Sequence, residues 1–351
     1  MDDLSKVREL FGAPGPSTAT VIRGRERLQT VIACDAAPPR STRTARWATF
    51  GLGLAGAAAA AAIVLSTAPP PSAPTAQEVL LAAATSAAKQ PAEGTWWGTK
   101  LVRGVRFRDP DDRYTLQQTA AEETWIPAGR VTTPHWIVLR YLGARPATPA
   151  DEAAWRAAGT PDRWSYTYGS KAGLDGDPYD VRAAPGEARS FQSRDVDWRL
   201  MFTGKPLTRL DELPATPEGL RSMLEPASGD ERELLMSLEN LIVHVPVTPE
   251  CRAAAYRLMA SLPGVSAEGE VTDQLGRTGQ AVSYRQQDAG GPENTEVRTR
   301  LIVDSATGAP LALETLAPGT GELLRFTAVE ANVWTDQKPE LPNPETPTEG
   351  Q

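Results

Sequence analysis

The sequence predicts an α+β protein: a single transmembrane helix followed by an extracytoplasmic domain whose curved antiparallel β-sheet carries helices on one face. Three observations support this. Residues 47–65 run nineteen positions without a charge. A helix rising about 1.5 Å per residue needs roughly 20 such positions to cross a ~30 Å hydrocarbon layer. Beyond that run, short stretches dense in aromatic and β-branched residues alternate with Pro, Gly and Asp breakers, a pattern of strands joined too tightly for parallel crossovers. Between two groups of such strands lie stretches with helix caps and apolar residues at helical spacing.

The span is marked by Trp47, Phe50, Leu54, Ile63 and Leu65. Its large apolar residues sum to about −2 to −4 kcal/mol for insertion, which is sufficient for one crossing. An Ala-rich helix buried in a soluble protein would keep a polar stripe, and this run has none. Arg40, Arg43 and Arg46 precede it and Pro69, Pro70 and Pro71 follow, so the positive-inside bias places the N-terminus in the cytoplasm. The region before the span is too long for an ordinary signal-peptide n-region, and prolines follow the Ser66-Thr67-Ala68 cleavage candidate, so the segment reads as an uncleaved signal anchor. The expected layout is a cytoplasmic tail at 1–46, the span at 47–68, a Pro-rich linker at 69–75, the extracytoplasmic domain at 76–336 and a disordered tail at 337–351. Two motif matches carry no chemistry. The G-x-G-x-x-G at Gly51, Gly53 and Gly56 lies inside the span and follows no strand. Cys34 ends a lipoprotein-like box preceded by Arg23, Arg25, Glu26 and Arg27 instead of an apolar run.

Charge divides the chain in the same place. Residues 1–46 carry eight basic and five acidic side chains, so against a whole-chain net charge of −8 the remainder carries −11. A basic tail suits an anionic cytoplasmic leaflet, and an acidic outer domain argues against nucleic acid as its partner. Cys34 and Cys251, the only cysteines, fall on opposite sides of the span and cannot pair within one chain.

In chain order, residues 76–89 read as a helix with Val79, Leu80, Ala83 and Ala84 inward. Strands are expected at 95–107, 114–126 and 135–142, then a small helix at 150–158. Residues 164–199 read as irregular strands and a long loop. Helices follow at 210–225, 230–243 and 248–262, with Thr216-Pro217 and Thr248-Pro249 as cap-and-first-position pairs. The chain then returns to strands at 268–273, 279–286, 295–304, 311–316 and 323–333.

The run VTPECRAAAYRLMASLPGV (247–265), the run TDQLGRTGQAV (272–282), the LDELP at 210–214 and the RGRERL at 23–28 resemble an uncharacterised actinobacterial family of single-pass membrane proteins, often encoded beside extracytoplasmic-function sigma factors. The resemblance implies a role in envelope sensing and a protein partner in a sigma-factor or envelope-stress pathway. The outer domain also looks like the half-barrel domains that carry lipids or lipoproteins in bacterial envelopes, which implies an apolar or lipid ligand.

Chemistry-bearing residues are few. His135 and His244 are the only histidines, and no zinc spacing, nucleophile elbow or phosphate loop occurs, so no metal, cofactor or catalytic residue is expected. The turn at Asp273, Gly276, Arg277 and Gly279 reads as structural, with glycines for positive φ and the two charges tying its ends. Trp96, Trp97, Trp125 and Trp136 are the candidate walls of an apolar pocket. The expected function is a non-enzymatic, membrane-anchored sensor or ligand-binding protein. A tethered lipid or lipoprotein carrier is the alternative, and a hydrolase with an unrecognised site ranks last.

Overall fold

Leu301, Ile302 and Val303 are consecutive and all inaccessible to solvent, so the strand that contains them is covered on both faces. A computed structural model describes residues 73–91, 93–128, 134–167, 178–193, 212–226, 228–287 and 295–344. The elements in order are α1 (Ala76–Ala87), β1 (Trp96–Arg108), β2 (Thr115–Pro127), β3 (His135–Pro146), α2 (Pro149–Ala157), β4 (Arg163–Thr167), β5 (Pro178–Arg182), β6 (Ala188–Ser193), α3 (Pro217–Leu224), α4 (Glu231–Val243), α5 (Pro249–Ser261), β7 (Ser266–Thr272), β8 (Thr278–Gln287), β9 (Glu296–Asp304), β10 (Ala309–Leu316) and β11 (Leu323–Thr335). The chain is therefore α+β, with one large sheet and few helices. That sheet has nine strands in the order β6-β3-β2-β1-β11-β10-β9-β8-β7, and its paired neighbours run antiparallel. Strands β4 and β5 form a separate ribbon. The stretch 164–199, expected to be irregular, thus supplies the ribbon and the edge strand β6.

The helices start where their caps dictate. Thr75 and Glu78 form a reciprocal capping box at α1, and Thr216 and Thr248 accept from the backbone N–H of Gly219 and Cys251 with proline next in line. Helices α1, α3, α4 and α5 share a core with Leu101, Val282, Tyr284, Leu301, Val303 and Val329 from one face of the sheet. The β9–β10 turn is pressed against α1. Gly308 has φ +72°, and a Cβ there would sit 2.4 Å from Ala83 O and from Ala87 N, so only glycine fits. On the other face, Val102, Ala281, Ile302, Ala312, Phe326 and Ala328 form a smaller core. A third cluster joins the ribbon and α2 to the sheet, with the Trp164 indole N–H donating to Tyr114 Oη at 2.8 Å.

Among the described residues no helix is long and apolar enough to cross a membrane. The expected span with Trp47, Phe50, Leu54, Ile63 and Leu65, and its flanking Arg40, Arg43 and Arg46, lie outside the described residues. Where a disordered tail is expected, residues 342–344 lie along β6: Ser190 Oγ donates to Pro342 O at 2.9 Å and Asn343 Nδ2 to Ala188 O at 3.1 Å.

One titratable contact ties the helix layer to the sheet. Tyr284 Oη donates to Glu239 Oε2 at 2.7 Å, and burial pushes the Glu239 carboxyl up to about 7 against the opposing pull of that hydrogen bond and of Arg325. A folded-state pKa raised above the unfolded value means that stability is fullest below the unfolded carboxyl pKa and is lost as pH rises through about 7. Thermal melts should therefore show the fold weakening from pH 5 to pH 8. Because Glu239 keeps partial exposure, Glu239→Gln should remove about 1–2 kcal/mol of that dependence. Parallel pH profiles for the two proteins would contradict the assignment.

Candidate functional site

The Asp273–Arg277 turn joins β7 to β8, yet its contacts lie beyond its own hairpin. Asp273 Oδ1 accepts from the backbone N–H of Leu275 and of Arg277, each at 2.9 Å, and Oδ2 accepts from Arg277 Nε at 2.9 Å. With the Asp273 side chain fully buried, this carboxylate both shapes the turn and fixes the guanidinium. Arg277 then donates from Nη1 to Val329 O at 2.6 Å and from Nη2 to Leu311 O at 2.7 Å. Those carbonyls belong to β11 and β10, while β9 separates β8 from β10 in the sheet order. Hence the hairpin leans back across neighbouring strands.

Under its tip lies a cleft of about 270 Å³ lined by Val102, Gln117, Thr119, Leu142, Gly143, Ala144, Arg145, Ala183, Gln274, Leu275 and Phe326. Its floor is set by strand register, because Arg106 pairs with Gln117 and Gln117 with Arg145 across β1, β2 and β3. Arg106 Nε donates to Gln117 Oε1 at 3.0 Å, which fixes the orientation of the Gln117 amide. Phe326 lies over Gly104, where a Cβ would come within 2.0 Å of the ring, so this strand glycine makes room for the cleft wall. The roof is apolar. Leu275 at the hairpin tip is 39 % exposed, and Leu142, which rises from β3 at the edge of the cleft, is 36 % exposed. One side of the roof is held by Gln274, whose Nε2 lies 3.4 Å from Glu314 Oε1. Glu314 is buried and also takes Arg300, which pairs with Glu268.

The described lining offers apolar surface, hydroxyl and amide groups, and one cation at Arg145. Apolar side chains beside hydroxyl, amide and guanidinium groups form a lining that can hold an apolar body with a polar end. Among the described residues no three His, Cys, Asp or Glu side chains gather as metal ligands.

The four tryptophans expected to line a pocket do not share one face. Trp125 and Trp136 are register partners, and Trp125 packs on Gly98 with Lys100 Nζ 5.7 Å from its ring centroid. Trp96 is half-buried on the same face by strand alternation, whereas Trp97 points to the helices and meets Trp334 edge-on at 5.3 Å. Of the turn residues, Gly276 has the expected positive φ of +80°. Gly279 serves differently: a Cβ there would come within 2.7 Å of Val303 O and 2.8 Å of Leu311 Cδ1. His135 is buried in β3 and His244 caps the C-terminus of α4. Cys251 is a buried thiol whose pKa burial pushes up to about 12, which makes it inert. Sequence reasoning missed Gln274, Leu275 and Phe326, and Gly104 in mid-strand was the one signal that could have pointed to them.

No protein-family model matches the chain, and comparison with curated proteins gives no match.

Asp273→Ala should release Arg277 from its partner and loosen the roof, costing about 2–4 kcal/mol. The check is a lower denaturant midpoint at unchanged slope, together with faster amide exchange at residues 274–276. Exchange equal to the parent protein would contradict the latch.

Proposed function

We propose that this chain is a non-enzymatic, membrane-anchored extracytoplasmic sensor that binds its ligand in the cleft beneath the Asp273–Arg277 hairpin. The observation that carries this reading is the roof. A large apolar side chain left open at a turn tip is ordinary, but Leu275 and Leu142 lining the same recess, above a floor with a fixed amide and Arg145, form a surface suited to an apolar ligand with a polar end. The uncharged run at 47–65 and the arginines before it support a tether with residues 1–46 in the cytoplasm. From there the basic tail would engage a protein partner, the resemblance pointing to a sigma-factor or envelope-stress pathway. The hairpin that leans over β10 and β11 supports a half-barrel description of the domain.

The apolar roof also favours a second reading, a tethered lipid or lipoprotein carrier, in which the tail serves only topology. In that case the cleft would pass its ligand on, and removal of residues 1–46 up to the arginines would leave every phenotype unchanged.

Native mass spectrometry of the full chain in detergent, followed by organic extraction, tests ligand binding. A bound small molecule is expected on the parent protein. Leu275→Asp, which alters an exposed turn tip, should weaken its retention at least about tenfold with Tm unchanged. A parent protein that carries nothing and responds to no envelope extract would contradict the reading.

A further inference from the structure

Arg252 stands out among the described arginines because it is only 7 % exposed and makes no ion pair among the described residues. Its guanidinium lies 5.2 Å over the Trp97 ring, its Nη2 donates to Asn332 Oδ1 at 2.9 Å, and its Nε has no acceptor. Asn332 cannot turn to offer more. Its Nδ2 is held by Val243 O at 3.0 Å, at the end of α4, which fixes Oδ1 toward Arg252. Around this guanidinium the pattern repeats: Trp97 Nε1 and Trp334 Nε1 are both buried without an acceptor, and the two rings touch.

Three buried N–H donors, on Trp97 and on the two side chains that touch it, are thus unmet. An arginine cannot shed its proton to escape burial, and a buried cation without a counter-charge is costly. A single water accepts at most two hydrogen bonds and brings no charge, so it would leave both deficits in part. An acceptor-rich anion beside the guanidinium would answer the charge and offer acceptors to the neighbouring indole N–H groups. Register sets the floor of this place, with Trp97 opposite Trp334 and Thr99 opposite Asn332 on the helix-covered face. Trp334 is only half-buried, in the row next to the end of β11 at Thr335, so the rim of the sheet is the approach from solvent.

We infer that Arg252, Trp97 and Trp334 form a binding site for a small oxyanion, a phosphate or carboxylate group, at the α5–β1–β11 junction. The site is separate from the cleft, and its occupancy would brace α5 against the two central strands.

The test is a thermal-melt titration of the full chain with sodium phosphate and, in a second arm, sodium acetate, each against sodium chloride at matched ionic strength. The parent protein should show a saturable rise in Tm with at least one of the two anions, and the arm that responds assigns phosphate or carboxylate. Arg252→Met removes the charge while keeping the stem; it should melt in chloride at or above the parent temperature and lose the anion response. Trp334→Phe keeps the ring contact but removes one donor, and should weaken apparent affinity about tenfold, so it decides the matter if the Arg252 variant does not fold. A parent protein indifferent to both anions, or variants that respond as the parent does, would overturn the assignment and leave a buried water as the occupant.

Discussion

One guanidinium reaching past its own hairpin links the parts of this domain that enclose the cleft. Arg277 closes onto the carbonyls of Val329 and Leu311, and both lie where the ladder is irregular. Pairing with β1 jumps from Val329 to Ala331, and pairing with β9 jumps from Pro310 to Ala312. A bulge leaves a residue out of the regular ladder, and here the freed carbonyl groups are answered by a side chain from two or three strands away. Asp273 orients that side chain, and the absence of a Cβ at Gly279 lets β8 approach Val303 and Leu311 closely enough for the reach. Bulges, turn and glycine are therefore one device, and the cleft under Leu275 exists because of it.

The same logic explains how both faces of β8–β11 are buried. Helices α1, α3, α4 and α5 cover one side, with Leu301 and Val303 beneath them. Ile302, Ala312 and Phe326 on the other side have no helix, and the sheet must cover them with its own hairpin. Two polar contacts tie the helix-covered core together. Glu239 accepts from Tyr284, and Asn332 bridges the end of α4 to Arg252. The donors at Trp97, Trp334 and Arg252 are left without acceptors, and Trp97 links all three side chains.

Most elements were legible in the sequence because their signals are local. Thr248-Pro249 marked the start of α5, whereas the helix expected at 210–225 begins only at Pro217, behind its Thr216 cap; breakers such as Asp109-Pro110 and Pro263-Gly264 fall between elements. The α+β class followed from the same local marks. What stayed hidden is non-local. That β1 lies beside β11, and that the turn at 273–277 contacts β10 and β11, depends on pairings between residues far apart in the chain, which no periodicity encodes. The adjacent Trp96 and Trp97 illustrate the limit at the site. Both were read as walls of one pocket, although alternation along a strand sends neighbouring side chains to opposite faces. Arg252 carries no local mark of burial, because the Trp97–Trp334 pair beside it is assembled by the β1–β11 register.

The central claim, a ligand held between the Asp273–Arg277 hairpin and the β1–β3 floor, is tested most directly by a high-resolution experimental structure of the full chain purified from its native cells without prior organic extraction. The account predicts continuous non-protein density that touches Leu275, Leu142 and Phe326 and ends at Gln117 or Arg145. A cleft closed by the protein's own side chains, with Leu275 packed down on Phe326, would contradict it.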